Sequence, residues 1–125
     1  MHAILVVDDH ANSCNALARL LTKLGDNALC VCSGQLALES LQLHIPNLVI
    51  LDVMMPGIDG MEVLRRIRIE PRTVNLPVVL FSSIEDPGYA YYAQCKGAND
   101  FWLKSRIDFS NLRELVAPYM VPAVA

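Results

Sequence analysis

The chain of 125 residues is long enough for one domain with its own hydrophobic core. Apolar residues make up 54% of it and charged residues 18%, a composition that excludes an intrinsically disordered chain. The net charge of −3 argues against a nucleic-acid-binding surface, which requires clustered basic side chains, and no apolar run approaches the ~18 residues that cross a membrane.

Five short apolar runs in the sequence predict β-strands. Each has about the length of a strand, and Val, Ile and Leu dominate without alternating with polar residues. Such runs are typical of a parallel sheet that is covered on both faces. The predicted strands are residues 3–7, 28–32, 48–51, 78–81 and 100–103.

A segment with the apolar spacing of a helix follows each predicted strand. Five strand–helix units with short connections predict a doubly wound α/β sandwich. Residues typical of helix starts and stops delimit the helices. Gly25 ends the first, Pro46 follows the second, Asp59 with Glu62 begins the third, Asp86 with Pro87 begins the fourth, and Asp108 begins the fifth.

The four cysteines, Cys14, Cys30, Cys32 and Cys95, form no C-x-x-C pair, which argues against a zinc site or a thioredoxin-like motif. Cys30 and Cys32 point the same way from one predicted strand, a poor geometry for a disulfide between them. The first residues lack the basic segment and the long apolar run of a signal peptide. We therefore expect all four cysteines to be reduced and mostly buried in a cytoplasmic protein.

Polar side chains follow four of the five predicted strands. Asp8 and Asp9 follow the first strand, Asp52 the third, Ser82 the fourth and Lys104 the fifth. In an open α/β sheet, ligands bind beyond the carboxyl ends of the strands, where the strand order reverses. With the strand order 2-1-3-4-5, three carboxylates would converge on one point, and a hydroxyl and an ammonium group would lie beside them.

These five residues together favour one kind of chemistry. Three close carboxylates repel one another and suit a hard divalent cation such as Mg²⁺. A hydroxyl and an ammonium group suit a tetrahedral anion, which points to phosphoryl transfer onto a carboxylate. Taken singly, Asp52 could form a turn, Asp9 could cap the first helix, Ser82 could bond local backbone, and Lys104 could be a solvated charge. Their placement at corresponding strand ends favours a functional site.

Four segments of the sequence resemble the receiver domain of two-component response regulators. ILVVDDH resembles the first strand and acidic pair of the family, and LVILDVMMPGIDGMEVLRRIR resembles its phosphoacceptor segment. LPVVLFSS resembles the fourth strand with its hydroxyl residue, and GANDFWLKS resembles the fifth strand with its aromatic residue and its Lys. The resemblance implies a flavodoxin-like (βα)5 receiver domain over residues 1–120, with a tail or truncated linker over residues 121–125.

The resemblance also implies a magnesium site among the acidic residues. Asp52 would be the phosphoacceptor, and Asp9 and Asp52 would bind Mg²⁺ directly together with the backbone carbonyl of Met54. Asp8 would act through metal-bound water. The phosphoryl donor would be a phosphohistidine on a sensor histidine kinase or on a histidine phosphotransfer protein.

A conformational switch is implied as well. Ser82 would hydrogen-bond the phosphoryl group, Lys104 would pair with it, and Phe101 would move inward. The surface formed by the fourth helix, the fifth strand and the fifth helix would then bind a downstream protein or a second copy of the chain, with no role for nucleic acid or membrane.

The fourth predicted helix contains Tyr89, Tyr91 and Tyr92, which cannot all lie on one buried stripe. We expect Tyr91 or Tyr92 to pack inward. The tyrosines that stay exposed would contribute to a docking or dimer surface, because Tyr is enriched at protein interfaces.

The sequence departs from the family pattern at two positions and has two apolar residues beside the expected site. Ser105 replaces the Pro that usually follows the Lys, so the peptide bond before it should be trans. Phe101 lacks the hydroxyl group of the more common Tyr. In the family, the positions of Met54 and Ile84 influence how readily water attacks the acyl phosphate. Because neither side chain can orient a water molecule, the resemblance implies slow self-dephosphorylation.

The favoured interpretation is a phosphoacceptor module, which would not be a turnover enzyme. Two alternative functions remain open. A non-phosphorylated interaction domain is the first. The second is a Mg²⁺-dependent phosphohydrolase, but enzymes of the haloacid-dehalogenase type need an Asp where Met54 stands. The chain could act alone or be part of a longer regulator or hybrid kinase.

Overall fold

The computed structural model describes residues 3–120. They form a five-stranded sheet of order β2-β1-β3-β4-β5 in which every pair of neighbours is parallel. The predicted strand order and doubly wound fold are therefore confirmed. The strands are β1 (Ala3–Val7), β2 (Asn27–Val31), β3 (Leu48–Asp52), β4 (Val78–Ser82) and β5 (Asp100–Leu103).

Five α-helices connect and follow the strands, and three of them begin at the predicted acidic caps. The carboxylates of Asp59, Asp86 and Asp108 accept hydrogen bonds from backbone N–H groups in the first turns of the third, fourth and fifth helices. The helices are α1 (Ala11–Lys23), α2 (Gly34–Leu43), α3 (Gly60–Ile69), α4 (Pro87–Cys95) and α5 (Phe109–Val116). Short 3₁₀ turns follow β5 and α5, at Lys104–Arg106 and Ala117–Tyr119.

The helices cover the sheet in two layers. One apolar cluster packs α1 and α5 against one face, and a second packs α2, α3 and α4 against the other face. Side chains of β1 alternate between the clusters, with Leu5 and Val7 in one and Ile4 and Val6 in the other. Both faces are thus buried, which explains the continuous apolar strands.

Two glycines shape the loop between β3 and α3. Gly57 has a φ of +74°, a conformation that residues with a Cβ rarely adopt. Gly60 lies so close to the end of β3 that a Cβ would collide with the carbonyl oxygen of Asp52 and with the Cα of Val53. The backbone N–H of Gly60 donates to the carbonyl oxygen of Val53 at 2.9 Å. The start of α3 is therefore held directly against the strand that ends in Asp52.

The prediction that all four cysteines are reduced and mostly buried is wrong. Cys14 on α1 and Cys30 on β2 form a disulfide, with their Cα atoms 5.8 Å apart. Cys32 and Cys95 are free thiols, and both are exposed. Packing of α1 on the edge of the sheet brings together two cysteines that are 16 residues apart, a proximity that spacing along one strand does not reveal.

The prediction that Tyr91 or Tyr92 packs inward is also wrong. Their exposed fractions are 71% and 48%, whereas Tyr89 lies against the sheet with its ring 5.7 Å from that of Phe101. The only fully buried residue of α4 is the small Ala93. Contact with Phe101 on β5 therefore determines that Tyr89 is the tyrosine that packs inward, because the sequence of α4 has little apolar periodicity.

Within residues 3–120, none of the helices has both the length and the apolar character that crossing a membrane would require. The expected tail over residues 121–125 lies outside the described residues.

Candidate functional site

Three carboxylates converge at the carboxyl ends of β1 and β3. We call the side chains of Asp8, Asp9 and Asp52 the acid cluster. Each offers an oxygen that lies within 4.8 Å of those of the other two, and His10 lies within the same distance. Asp8 and Asp52 are buried, and Asp9 is 23% exposed. The neighbouring positions of β1 and β3 in the sheet bring these residues together, as the strand order predicts.

Lys104 joins the two buried carboxylates from the end of β5. Its Nζ lies 3.2 Å from Oδ2 of Asp8 and 3.4 Å from Oδ1 of Asp52. The same ammonium group lies 5.4 Å from the centre of the Phe81 ring, which supports it from β4. All peptide bonds of the described residues are trans, so the bond before Ser105 is trans, as predicted. The 3₁₀ turn that begins at Lys104 still directs this side chain into the site.

The environment of Asp52 disfavours its charged form. Burial is the largest influence and raises the pKa of its carboxyl group from 3.8 to about 6. Lys104 opposes this shift and Asp8 adds to it. Burial outweighs the ion pair with Lys104, because Asp52 is only 3% exposed and a single partly exposed ammonium group cannot neutralise several carboxylates. A second cation would lower this electrostatic cost.

Asp9 provides an oxygen that lacks a hydrogen bond. Its Oδ1 is buried and accepts no hydrogen bond within the described residues, although Nδ1 of His10 lies 3.3 Å away. The side chain does not cap α1, whose N-cap is His10 without a side-chain bond. The simpler interpretation of Asp9 as a helix cap is therefore wrong, and its carboxylate remains available to a ligand.

His10 is a member of the site that the sequence reasoning left without a role. Its backbone N–H donates to Oδ1 of Asp8 at 2.9 Å, and its ring Nδ1 lies 3.5 Å from the same oxygen. The ring itself is 72% exposed. The sequence could have indicated this role, because His10 directly follows the acidic pair and an Asp carboxylate often accepts a hydrogen bond from the backbone two residues later.

Ser82 lies at the end of β4, beside the other site residues. It is 1% exposed, and its Oγ accepts a hydrogen bond from the backbone N–H of Ile84 at 3.1 Å. The hydroxyl proton is not used in that bond and remains available for donation. Residue 82 pairs with Leu103 of β5, the residue before Lys104, so the two polar groups approach from neighbouring strands.

Phe101, Met54 and Ile84 lie near the site and differ in how far they are buried. Phe101 is half-buried and contacts the Tyr89 ring, which in turn lies 6.0 Å from the Tyr92 ring. The Met54 side chain is 65% exposed, and Ile84 is half-buried against the core. No polar side chain at positions 54 or 84 can therefore hold a water molecule over the acid cluster.

Taken together, the geometry suits a hard cation and a tetrahedral anion. Carboxylate oxygens in a partly dehydrated cluster are the ligands that Mg²⁺ prefers, and the buried, unbonded oxygen of Asp9 is consistent with such an ion. The ammonium group of Lys104 and the free hydroxyl proton of the buried Ser82 can bind the oxygens of a phosphoryl group.

Comparison with known proteins identifies a family. The family model described as the response regulator receiver domain matches residues 4–117. The transcriptional regulatory protein AfsQ1 of Streptomyces coelicolor is 38% identical over 104 residues, which cover 83% of this chain and 45% of AfsQ1. The response regulator PleD of Caulobacter vibrioides is 35% identical over 115 residues, covering 90% of this chain and 25% of PleD. The chain thus spans less than half the length of these relatives.

The fold has matches among solved structures. The crystal structure of the BeF3-activated N-terminal receiver domain of RstA from Klebsiella pneumoniae superimposes with a TM-score of 0.86 at 28% identity. The superposition covers 96% of this chain and 100% of that one.

Proposed function

The chain belongs to the response regulator receiver domain family, and on this basis we propose that it accepts a phosphoryl group on Asp52 in a Mg²⁺-dependent reaction. The observation that carries the proposal is the convergence of the acid cluster with Lys104, whose Nζ lies 3.4 Å from Asp52. Response regulators partner with histidine kinases, so the donor is a phosphohistidine on a sensor kinase or a histidine phosphotransfer protein.

The residues of the acid cluster fit a magnesium ion. Asp9 and Asp52 would hold it directly, the backbone carbonyl of Met54 would add a further oxygen, and Asp8 would act through a water molecule. The orphaned Oδ1 of Asp9 and the raised pKa of Asp52 support this assignment. When bound, Mg²⁺ supplies positive charge that neutralises the carboxylates and the oxygens of an incoming phosphoryl group.

The protein's own groups have separate tasks in the transfer. A carboxylate oxygen of Asp52 attacks phosphorus, the nitrogen–phosphorus bond of the donor breaks, and the imidazole leaves with the electron pair. Lys104 stabilises negative charge on the transferred group. Ser82 donates its free hydroxyl proton to a phosphoryl oxygen while its Oγ still accepts from the backbone of Ile84.

Phosphorylation then changes the surface formed by α4, β5 and α5. Movement of Ser82 towards the phosphoryl group alters its bond to the loop that leads into α4, and Phe101 loses or changes its contact with Tyr89. Tyr91, at 71% exposure, presents an aromatic group on that surface to a downstream protein or to a second copy of the chain.

Incubation with acetyl phosphate and Mg²⁺ tests the proposal. We expect an adduct of one phosphoryl group by intact mass, labile in alkali and absent when Mg²⁺ is chelated. Asp52→Asn should abolish it, whereas Asp26→Asn, which changes an Asp outside the cluster, should leave it unchanged. No adduct at all would favour a non-phosphorylated interaction domain, and sustained hydrolysis of varied phosphomonoesters would favour a phosphohydrolase.

A further inference from the structure

A second cluster of reactive side chains lies beside the acid cluster and has no role in phosphoryl transfer. The sulfur atoms of Cys14, Cys30 and Cys32 all lie within 4.8 Å of one another. Cys14 and Cys30 are joined, and Cys32 is a free, exposed thiol at the end of β2. We call these three residues the thiol cluster.

We propose that the thiol cluster is a thiol–disulfide exchange site for low-molecular-weight disulfides, and that closing its Cys14–Cys30 bridge tightens the position of Asp8 in the acid cluster. The second half rests on the proposed Mg²⁺ site, whereas the exchange chemistry does not.

The exposures of the three cysteines indicate which thiol reacts first with an external disulfide. Cys14 has an exposed fraction of 0%, so an external disulfide cannot reach it directly, and Cys30 is only partly exposed. Cys32 is exposed and lies within reach of both other sulfurs. Exchange rates depend on access to the attacking thiolate, which makes Cys32 the residue that meets the reagent.

The exchange balances without a further oxidant. The Cys32 thiolate attacks a sulfur of glutathione disulfide, forms a mixed disulfide and releases one glutathione thiolate. Cys14 then attacks the Cys32 sulfur and releases the second glutathione, and Cys30 attacks the Cys14 sulfur and frees Cys32. Two protein thiols are oxidised, one glutathione disulfide is reduced, and the two thiol protons go to the two glutathione molecules.

The surroundings of Cys14 accommodate the reduced state as well as the bridge. Its Sγ lies 3.5 Å from the carbonyl oxygen of Val6 and 3.6 Å from that of Val31. A reduced Cys14 can donate its S–H to either oxygen, so opening the bridge leaves no buried donor without a partner.

Backbone hydrogen bonds connect the thiol cluster to Asp8 by two short routes. The N–H of Cys14 donates to the carbonyl oxygen of His10 at 2.9 Å, and the N–H of His10 donates to the Asp8 carboxylate at 2.9 Å. In addition, the N–H of Asp8 donates to the carbonyl oxygen of Val31, which lies between Cys30 and Cys32, at 3.2 Å. The bridge therefore ties together the two backbone segments that position the Asp8 carboxylate.

Equilibration of the full chain in glutathione buffers, followed by alkylation and peptide mass spectrometry, tests the exchange. We expect Cys14–Cys30 to open in reducing buffer and to close in oxidising buffer. Cys32→Ser should slow closure at least about tenfold, because Cys14 is buried and Cys30 is only partly exposed, so the readily reached thiol is lost. Cys95→Ser, which removes the other exposed thiol, should close at the wild-type rate.

Three outcomes of this experiment would overturn the exchange site. One is that Cys14 and Cys30 remain reduced in every buffer. Another is that Cys32→Ser closes the bridge as fast as the wild type. The third is stoichiometric binding of Zn²⁺ by the three thiolates of the reduced protein.

Calorimetric titration with Mg²⁺ in both redox states tests the coupling. We expect the Mg²⁺ Kd of the oxidised wild type to be about fivefold or more below that of the reduced wild type, because the closed bridge holds Asp8 in place. Cys14→Ser and Cys30→Ser, each combined with Cys32→Ser so that no other bridge can form in the cluster, should lose this redox response. The second combination keeps the buried Cys14 side chain if the first does not fold. Equal Mg²⁺ affinity in both states, or weaker binding in the oxidised state, would overturn the coupling. Absence of Mg²⁺ binding in both states would instead overturn the proposed function.

Discussion

The ammonium group of Lys104 bridges Asp8 and Asp52, with Nζ–oxygen distances of 3.2 and 3.4 Å. The residues of the Asp8–Lys104 pair are 96 positions apart in the sequence, and only the parallel sheet brings them to one point. One positive charge thus serves two buried carboxylates that would otherwise repel each other.

Replacing Lys104 with Met removes this cation while keeping most of the side-chain volume. We expect the rate of phosphorylation by acetyl phosphate to fall about 10- to 100-fold, because developing charge on the phosphoryl group loses its partner. The free energy of unfolding of the metal-free protein at neutral pH should fall by about 1–3 kcal/mol, since two buried carboxylates are left without compensation. Lys23→Met, on the exposed last turn of α1, is the matched control, and equal rates in the two variants would contradict the assignment.

The metal-free protein should become less stable as the pH rises through the range set by Asp52. Burial raises the pKa of Asp52 from 3.8 to about 6, so between these values the folded state holds a proton that the unfolded state has lost. Stability therefore decreases with pH in this window.

Asp52→Asn should remove this dependence. In the absence of Mg²⁺ the variant should be more stable than the wild type near neutral pH by about 1–3 kcal/mol, with the gap closing towards about pH 4. Urea unfolding at the two pH values measures the difference, and Asp26→Asn serves as the control. A variant that is less stable than the wild type at neutral pH would show that the ion pair with Lys104 outweighs burial.

Gly60→Ala should weaken the fold and the site together. A Cβ at this position collides with the backbone of Asp52 and Val53, so the start of α3 or the end of β3 must move. We expect a loss of about 2–4 kcal/mol in the free energy of unfolding, with weaker Mg²⁺ binding. Gly88→Ala is the control, because its Cβ would meet only the flexible carboxylate of Asp86 at 3.3 Å. Unchanged stability of Gly60→Ala would contradict the close contact seen in the structure.

The order of the strands, the polar residues at their carboxyl ends and the helix caps were predictable from the sequence, because they depend on local signals. The apolar strands, their acidic, hydroxyl and Lys ends, and the caps at Asp59, Asp86 and Asp108 follow from residue order and elementary preferences. The convergence of Asp8, Asp52 and their neighbours then follows from the strand order alone.

Contacts set by tertiary packing were not predictable in this way. Tyr89 turns inward because Phe101 on β5 offers a surface for its ring, which no pattern within α4 reveals. Cys14 meets Cys30 because α1 packs over the sheet edge, whereas sequence spacing addressed only the Cys30 and Cys32 pair. Strand β2 (Asn27–Val31) also differs by one residue at each end from the predicted 28–32, because pairing with β1 runs from Asn27 to Val31.

The phosphorylated protein should lose its phosphoryl group slowly. Met54 is largely exposed and apolar and Ile84 packs on the core, so neither side chain can orient a water molecule for attack on the acyl phosphate. Decay of the adduct by intact mass should take minutes or longer, and Met54→Asn should accelerate it severalfold. Ile69→Asn, at an exposed position on α3, is the control. A half-life of seconds in the wild type with Mg²⁺ present would contradict this account.

The position of the phosphoryl group in the chain decides whether Asp52 is the phosphoacceptor. Borohydride reduces an aspartyl phosphate to homoserine, which peptide mass spectrometry locates to a single residue. After incubation with acetyl phosphate and Mg²⁺, we expect homoserine at position 52 alone, because Asp52 is the proposed phosphoacceptor. Homoserine at Asp8, at Asp9 or at an acid outside the cluster, or none at any position, would contradict it.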